Sequence, residues 1–266
     1  MSSAAESYER YLVPSLFSPW ASVLLDVAQP QDGERLLDVA CGTGVVARAA
    51  ASMVSRQGTV SGLDLDESNV AVARLVAEHE HLTISWHTGR AEELPFPEAS
   101  FDLVVCQFGL MFFSDRPAAL REMHRVLNPR GRLVLSTWQR LDRHPFHQAL
   151  HETTLARLGL STVASVCSLG DPDQLRALVQ DAGFHHVRVL QRSLNAHFPS
   201  GHEFVEFELG FDPAQAPALR QLDRIHQQHI MDELRAELAA RLDPLVDAGV
   251  LVLPMHAHLV TAAHSY

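Results

Sequence analysis

A glycine-rich segment is the part of the sequence whose residue types are best suited to bind a ligand. Asp38, Ala40, Gly42 and Gly44 lie in the run DVACGTG, which follows a short apolar run and directly precedes a helical pattern. Glycine permits a sharp turn there and lets a ligand approach the backbone without a Cβ in the way. The continuation GTGVVA also fits the dinucleotide pattern GxGxx[GA], so the segment alone leaves a nicotinamide-binding site open.

Two acidic residues favour a different ligand. Asp38 ends the first apolar run, where a carboxylate can hold a cationic group but would repel a pyrophosphate. Asp64 ends the second run, about twenty residues after Gly44, where its oxygens can accept both hydroxyls of a ribose. Together they indicate a nucleoside joined to a positively charged group.

The elements that must position these residues alternate between strand and helix. Such alternation is typical of crossover units on a mostly parallel sheet with helices on both faces, an α/β fold. Seven strands are predicted, at 35–40, 59–65, 82–88, 101–107, 132–138, 185–191 and 255–263. Helices are predicted at 45–54, at 67–79 with Asp66 as N-cap, from Asp115 to a turn at 128–131, and from Asp171 to Gly183.

The remaining segments are predicted to be mainly helical. We expect N-terminal cap helices over 1–30 and one main domain over 31–266, which carries insertions at about 139–170 and 194–253. The insertions are expected to form a lid.

Composition restricts the classes of partner. The chain has 266 residues and a net charge of −11, so its surface should repel nucleic acid and anionic lipid. Its three cysteines form no CxxC pair, which argues against a disulfide framework or a thiolate metal site. The N-terminus lacks the features of a signal peptide, and no apolar run reaches membrane-spanning length. We therefore expect a cytoplasmic protein, monomer or homodimer, that binds neither nucleic acid nor membrane.

Four ordered motifs resemble those of a known family. LLDVACGTG (36–44), GLDLDES (62–68), GRAEELPFPEASFDLVVCQFGL (89–110) and REMHRVLNPRGRLVLS (121–136) are similar to motifs of class I S-adenosylmethionine-dependent methyltransferases. The resemblance is to the small-molecule group related to the ubiquinone/menaquinone C-methyltransferases. It implies a Rossmann-like fold, S-adenosylmethionine as cofactor, and a small-molecule methyl acceptor. The segment YERYLVPSLFSPWASVLL (8–25) also resembles the helix that closes over the cofactor in such enzymes.

The resemblance assigns cofactor contacts by position. It implies that Asp38, Ala40, Gly42, Gly44 and Gln107 contact the methionine end, that Asp64 binds the ribose, that Leu65 lies against the adenine, and that Ala91 and Glu92 read the adenine edge. The chain departs from the pattern at Arg90, where many relatives have an aspartate that accepts from the adenine amino group. Arginine cannot accept a hydrogen bond, so Glu92, a backbone carbonyl or apolar contact would have to replace it.

Candidate catalytic and acceptor-binding residues come from spacing alone. His144, His147 and His151 fall on one face of a helix after the fifth strand. This spacing is compatible with a catalytic base, for which His144 and His147 are the candidates, with a metal site, or with an ordinary partly exposed helix face. His226, His229 and Glu233 repeat this spacing, and we interpret them as a solvent-exposed face rather than a metal site. Six residues could line an apolar acceptor pocket or pack in the core, namely Tyr11, Phe17, Phe108, Met111, Phe112 and Trp138.

The sequence thus favours methyl transfer to oxygen or carbon of a small, largely apolar metabolite, with secondary or quinone-like metabolism as its setting. Two alternatives stay open. One is a nicotinamide-dependent oxidoreductase that uses the glycine segment as a dinucleotide site. The other is a protein of the same fold that binds the cofactor without methylating.

Overall fold

The computed structural model describes residues 3–55, 57–159, 165–209, 219 and 222–265. These fall into two compact units. The first comprises Met1–Gln139, Leu169–Arg192 and Ala257–Tyr266, and the second comprises Arg140–Ser168 and Ser193–His256.

A mostly parallel sheet organises the first unit, and its last three strands also include residues of the second unit. Its strands are β1 (Arg35–Val39), β2 (Thr59–Asp64), β3 (Ser85–Thr88), β4 (Phe101–Gln107), β5 (Leu127–Trp138), β6 (His185–Phe198), β7 (Val246–Asp247) and β8 (Val250–Ala263). The strand order is β3-β2-β1-β4-β5-β8-β6, with β7 paired to β8. Strands β1 to β5 pair in parallel, whereas β8 runs antiparallel to β5. The predicted fold class is confirmed, and all seven predicted strands are present; the two-residue β7 is an addition.

Helices connect the strands as predicted. They are α1 (Ala4–Leu12), α2 (Ser18–Ala28), α3 (Val45–Ala51), α4 (Glu67–His79), α5 (Arg116–Val126), α6 (Pro145–Leu158), α7 (Pro172–Asp181), α8 (Gly201–Glu208) and α9 (Arg224–Leu242). The side chains of Asp66, Asp115 and Asp171 accept backbone N–H groups at the starts of α4, α5 and α7, which confirms the N-cap predicted at Asp66 and the helix starts predicted at Asp115 and Asp171.

Several element boundaries differ from the sequence-based prediction. β5 begins at Leu127, where a turn was expected over 128–131, because Leu127 already has extended dihedrals and pairs with Phe101. A register shift between Phe101 and Leu103 accommodates the extra residues, as a bulge does. β3 is shorter than expected, and α3 ends at Ala51. β6 and β8 extend into the segment 194–253 that was expected to be mainly helical.

The N-terminal segment is helical from Ala4 to Ala28, with a π-helical turn over Val13–Phe17. By length and hydropathy alone this stretch could cross a membrane. However, Trp20, Leu24 and Leu25 on α2 are buried, and α2 packs against β4, β5 and α3. The apolar character of α2 is therefore accounted for by core packing.

The second unit has a helical core of its own. The helix α9 packs against α6 and α8, with Leu234 and Leu238 fully buried. The Phe204 ring lies 4.5 Å from that of Phe198 and 5.5 Å from that of Phe146, measured between centroids. Parts of the two predicted insertions, 160–164, 210–218 and 220–221, lie outside the described residues. The role of this unit as a lid stays a prediction.

Candidate active site

Three polar residues lie at the carboxyl edge of the parallel strands. Asp38 and Asp64 stand at the ends of β1 and β2, and Gln107 ends β4. Because β1 pairs in parallel with both β2 and β4, the three strand ends are neighbours in the sheet. Ligands of open α/β sheets bind at this edge. The predicted positions of the three residues at strand ends are confirmed, and their contacts with a cofactor stay a prediction.

The glycine loop after β1 has an unusual backbone. Ala40, Gly42 and Gly44 have φ values of +56°, +55° and +86°, and Phe108, directly after β4, has φ +52°. Positive φ is costly for residues with a Cβ, and such strained positions cluster at functional sites. The strained Ala40 and Phe108 therefore mark the same sheet edge as the polar side chains.

Asp64 fixes the glycine loop to β2. Its Oδ2 accepts the Gly42 N–H at 2.8 Å, and its Oδ1 accepts the Asp66 N–H at 2.9 Å. Oδ1 also accepts from the Asn69 Nδ2 at 3.4 Å, so the second lone pair of Oδ2 is the acceptor capacity that Asp64 keeps for a ribose hydroxyl. The aspartate therefore shapes the site and can also bind in it.

Asp38 is a buried acid, only 1% exposed. Its Oδ2 accepts the Ala47 N–H at 3.1 Å. Burial raises the pKa of the Asp38 carboxyl to about 8, and the nearby charge of Asp64 adds to the rise. A cation placed beside Asp38 would favour its ionised form and so be bound more tightly.

Tyr8 on α1 covers the glycine loop, and spacing alone gave no signal for this contact. A Cβ built on Gly42 would lie 3.9 Å from the Tyr8 hydroxyl, so the ring sits just beyond the loop. The Tyr8 ring stacks on Phe17 with centroids 5.0 Å apart. Burial, followed by the charge of Asp64, raises the pKa of the Tyr8 phenol. Only the family resemblance had pointed to a closing helix here.

Trp86 of β3 supports the opposite side of the loop, and it too was missed. A Cβ built on Gly62 of β2 would overlap the indole and lie 3.1 Å from the Cys41 Sγ. The indole therefore occupies space that only glycines at positions 44 and 62 leave open. Cys41 is a buried small residue whose thiol pKa is raised mainly by burial, consistent with the absence of a reactive thiol.

The loop after β3 lies beside Asp64, because Thr88 pairs with Asp64 in the sheet. Leu65, predicted to lie against the adenine, has a side chain that is 65% exposed, so a ring can reach it. Ala91 in this loop is buried.

Glu92, predicted to read the adenine edge, is engaged elsewhere. Its Oε1 accepts the Ser114 N–H at 3.0 Å and the Ser114 hydroxyl at 2.8 Å. Arg90 donates to the Ser114 Oγ at 2.8 Å and lies 3.3 Å from the same Glu92 oxygen. Glu92 thus ties its loop to the start of α5, and its contact with adenine stays a prediction.

Buried acceptors without a donor surround the loop. The Gln107 Nε2 donates to the Phe17 carbonyl at 3.0 Å, but its Oε1 is buried and has no hydrogen-bond partner among the described residues. The same holds for the Thr43 Oγ1 and the Glu9 Oε2. Unpaired buried acceptors are costly and fit a ligand that brings donors, such as an ammonium group and ribose hydroxyls. The residues present therefore fit S-adenosylmethionine.

The predicted acceptor-pocket residues divide into two groups. Phe108 and Trp138 stack with centroids 3.7 Å apart and planes at 8°, and the Trp20 ring meets both edge-on. Phe108, Met111 and Trp138 are buried, which agrees with core packing. Tyr11, Phe17 and Phe112 are accessible in part, and Phe112 is 66% exposed. A pocket-lining role for the six stays a prediction.

The candidate bases lie in the second unit. His144 is 2% exposed, and its ring centroid is 5.9 Å from that of His147 and 5.6 Å from that of His256. Burial, with smaller effects from these two histidines, lowers the pKa of His144 to about 3. Burial lowers the pKa of His147 to about 4. Both imidazoles are neutral at physiological pH and weakly basic, so their catalytic role stays a prediction.

The second histidine group lies at the surface. His226 and His229 have side chains 68% and 72% exposed, paired with Asp223 and Glu233. This agrees with the solvent-exposed interpretation. Among the described residues, no group of three or more His, Cys, Asp or Glu side chains has a geometry that could hold a metal ion.

Comparisons with known proteins agree with this site. A family model described as a methyltransferase domain matches residues 37–135. The chain is 33% identical over 185 residues to the 2-phytyl-1,4-naphtoquinone methyltransferase of Thermosynechococcus vestitus, covering 64% of this chain and 80% of that protein. It is 30% identical over 200 residues to the ubiquinone/menaquinone biosynthesis C-methyltransferase of Neisseria meningitidis, covering 71% and 81%.

A solved structure shows the same fold. The YcgJ protein of Bacillus subtilis superposes with a TM-score of 0.62 at 19% identity, covering 92% of this chain and 98% of that one. At this identity the likeness concerns the fold alone.

Proposed function

Because the chain belongs to the S-adenosylmethionine-dependent methyltransferases related to the ubiquinone/menaquinone C-methyltransferases, we propose that it methylates a carbon or oxygen atom of a small, largely apolar acceptor. The enzyme class, the cofactor and the small-molecule character of the acceptor follow from the family. The proposal concerns the kind of acceptor and the residues that serve it.

The acids and the unpaired acceptors around the glycine loop are the observation that supports particular residues as cofactor contacts. Asp38 and the Gln107 Oε1 would hold the positively charged methionine end, and Asp64 would accept the ribose hydroxyls. Leu65 and Ala91 would contact the adenine. When bound, S-adenosylmethionine supplies an electrophilic methyl group that passes to the acceptor by in-line displacement.

An apolar acceptor is supported by the residues that follow the strand ends. The ring centroids of Phe17 and Phe108 are 6.2 Å apart. The Phe17 carbonyl accepts a hydrogen bond from Gln107, and Phe108 follows Gln107 directly in the chain. Phe112 lies a few residues further along the chain and is exposed. One of the two relatives is named as a naphthoquinone methyltransferase, and the other is named for ubiquinone/menaquinone biosynthesis. We therefore propose an aromatic or quinone-like acceptor, bound by apolar contact with few polar groups.

Positioning is the main catalytic contribution that we propose. Holding the acceptor close to the methyl carbon and on axis can lower the barrier by about 7–11 kcal/mol without a base. His144 or His147 would add general-base catalysis only if binding brings one to the acceptor, and their low pKa values limit its strength. The structure thus favours acceptors that need little help in losing a proton.

The test is a methylation assay with isotopically labelled S-adenosylmethionine and a panel of apolar acceptors, including demethylated quinols, phenols and a polar amine. We expect labelled product and stoichiometric S-adenosylhomocysteine with a quinol or phenol, and no turnover in the Asp64→Ala variant. Turnover only with the amine would contradict the proposed acceptor class.

The same assay separates the alternatives. Consumption of a reduced nicotinamide would indicate an oxidoreductase. Conversion of an acceptor without S-adenosylhomocysteine would indicate a protein that uses the cofactor without methylation. Further parts of the proposal are a cytoplasmic location, consistent with three free cysteines, and a monomer or homodimer that binds neither nucleic acid nor membrane.

A further inference from the structure

Arg48 is a charged side chain in the core of the first unit, and the function proposed above does not use it. It lies on α3, one turn after the glycine loop, and its side chain is only 8% exposed. Buried guanidinium groups are costly unless every donor direction is paired. The partners of Arg48 therefore indicate the role of its side chain.

Those partners belong to three different elements. The Nη1 group donates to the backbone carbonyl of Thr43 in the glycine loop. The Nη2 group donates to the Glu9 Oε1 on α1 at 2.7 Å. The Nε group lies 3.3 Å from the Glu80 Oε2 at the end of α4.

The three contacts differ in burial. Glu9 is 19% exposed, whereas Glu80 is 44% exposed. The Glu9–Arg48 pair is thus shielded from solvent, and the Glu80 contact is largely screened by water. Arg48 consequently holds α1 and the glycine loop more firmly than it holds α4.

The element held by Glu9 is the one that covers the ligand edge. Tyr8, the neighbour of Glu9 on α1, sits over Gly42. A ligand on the loop would therefore lie close to a helix that Arg48 joins directly to the loop backbone. The free buried Oε2 of Glu9 keeps this end of the pair incompletely satisfied without a ligand.

We propose that Arg48 is a positioning residue for the cofactor, which couples the closure of α1 to the conformation of the glycine loop through the Glu9–Arg48 ion pair. Loss of the pair leaves the loop intact but lets α1 open, so bound cofactor escapes faster. The inference concerns cofactor retention and does not depend on which acceptor is methylated.

The experiment measures binding and dissociation of S-adenosylhomocysteine by surface-attached wild type, Glu9→Gln, Arg48→Lys and Glu78→Gln. Glu78 is an exposed acid on α4, so Glu78→Gln is the matched control for charge. We expect Glu9→Gln and Arg48→Lys to raise the dissociation rate about tenfold, since truncated buried charge pairs act mainly on dissociation. Glu78→Gln should bind as the wild type does.

Two further readouts separate positioning from a purely structural role. The KM for S-adenosylmethionine should rise in Arg48→Lys while kcat is kept. In both Arg48→Lys and Glu9→Gln, binding should no longer protect the amides of α1 from hydrogen exchange as it does in the wild type. Glu80→Gln removes the exposed contact of the same arginine and should alter the dissociation rate far less than Glu9→Gln.

The proposal is wrong if Glu9→Gln lowers Tm but leaves the dissociation rate and α1 protection unchanged. It is equally wrong if Glu80→Gln and Glu9→Gln have the same effect, because Arg48 would then be a general anchor. Should Arg48→Lys not fold, Glu9→Gln decides alone. Failure of the acceptor proposal would instead appear as normal binding without methyl transfer.

Discussion

The indole of Trp86 occupies the position that a side chain on Gly44 would need. A Cβ built on Gly44 would overlap the indole Cη2 and lie 3.0 Å from its Cζ3, and Gly44 also has φ +86°. Gly44 is therefore required for two reasons, its left-handed backbone and the close approach of Trp86. The turn was expected from the sequence together with close approach of a ligand, whereas the contact with Trp86 was not expected.

Replacing Gly44 should therefore weaken cofactor binding and lower stability more than the loss of its left-handed backbone conformation alone would. We expect Gly44→Ala to weaken S-adenosylhomocysteine binding by at least about tenfold and to lower Tm, because overpacking adds about 1–3 kcal/mol to the left-handed strain. Calorimetric titration and thermal unfolding measure both effects.

Gly33 provides the matched control. It has φ +82°, and a Cβ there would meet nothing within 4 Å. Gly33→Ala should thus lose only the backbone part, about 1–2 kcal/mol of stability, with unchanged binding. Trp86→Leu should partly restore binding to Gly44→Ala, and a complete lack of rescue would show that the indole is not the obstacle.

Removing the carboxylate of Asp64 should abolish tight cofactor binding. Asp64→Ala takes away an acceptor for ribose and also the contact that fixes Gly42, each a charge-assisted hydrogen bond worth about 1.5–3 kcal/mol. We expect a rise in the Kd for S-adenosylhomocysteine of a hundredfold or more, roughly the factor for two such bonds. Asp66→Ala, two residues away at the cap of α4, should keep binding within about threefold; an equal loss in both variants would point to unfolding of α4 instead.

The raised pKa of Asp38 should make cofactor binding depend on pH. Below about pH 8 the free enzyme holds a proton on Asp38. A bound cation favours the carboxylate, so binding releases that proton and tightens as the pH rises. The Kd for S-adenosylhomocysteine should fall by up to about tenfold per pH unit between pH 6 and 8 and then level off.

Asp38→Asn should remove this dependence, because an amide keeps an acceptor for the Ala47 N–H but does not titrate. Titrations in buffers of different ionisation enthalpy would count the released proton. The same pH slope in wild type and Asp38→Asn would assign it to another group.

The buried histidines should make the second unit labile in acid. The pKa values of His144 and His147 in the folded chain are about 3 and about 4, against about 6.5 in unfolded peptides. Below pH 6.5 the unfolded state takes up protons that the folded state does not, so stability present above that pH is lost as the pH falls. The low pKa of His144 alone should lower the free energy of unfolding by about 1.4 kcal/mol per pH unit below pH 6.5, which amounts to about 2 kcal/mol at pH 5.

Urea unfolding followed by circular dichroism at pH 7.5, 6 and 5 measures this loss. His144→Gln should be less stable at pH 7.5 but should reduce the decline between pH 6.5 and 5. His229→Gln, at an exposed position, should decline as the wild type does. An unaltered decline in His144→Gln would assign the lability to other groups.

The parts of this site that could be predicted from the sequence are those set by position along a strand. Asp38, Asp64 and Gln107 lie where strand ends place them, because the alternation of strands and helices determines which ends share an edge. The helix starts at Asp66, Asp115 and Asp171 were also predictable, because an N-cap depends on its own helix alone.

The parts that were missed are contacts between distant segments. Tyr8, Arg48 and Trp86 meet the loop from α1, α3 and β3, and no local pattern encodes which side chain fills the space beside a glycine. Glu92 was expected at the adenine edge, yet Ser114 from another segment engages its carboxylate. Burial of Phe108 and Trp138 likewise depends on Trp20, which lies on α2.

The position of β8 has a consequence for how the chain is made. β8 lies between β5 and β6, and Arg132 of β5 pairs with Ala263 of β8. During synthesis β6 leaves the ribosome before the strand that must separate it from β5. The nascent chain therefore holds two unpaired strand edges until β8 emerges. Insertion of β8 is thus a late folding step, and the interval before it is the time when a chaperone is most needed.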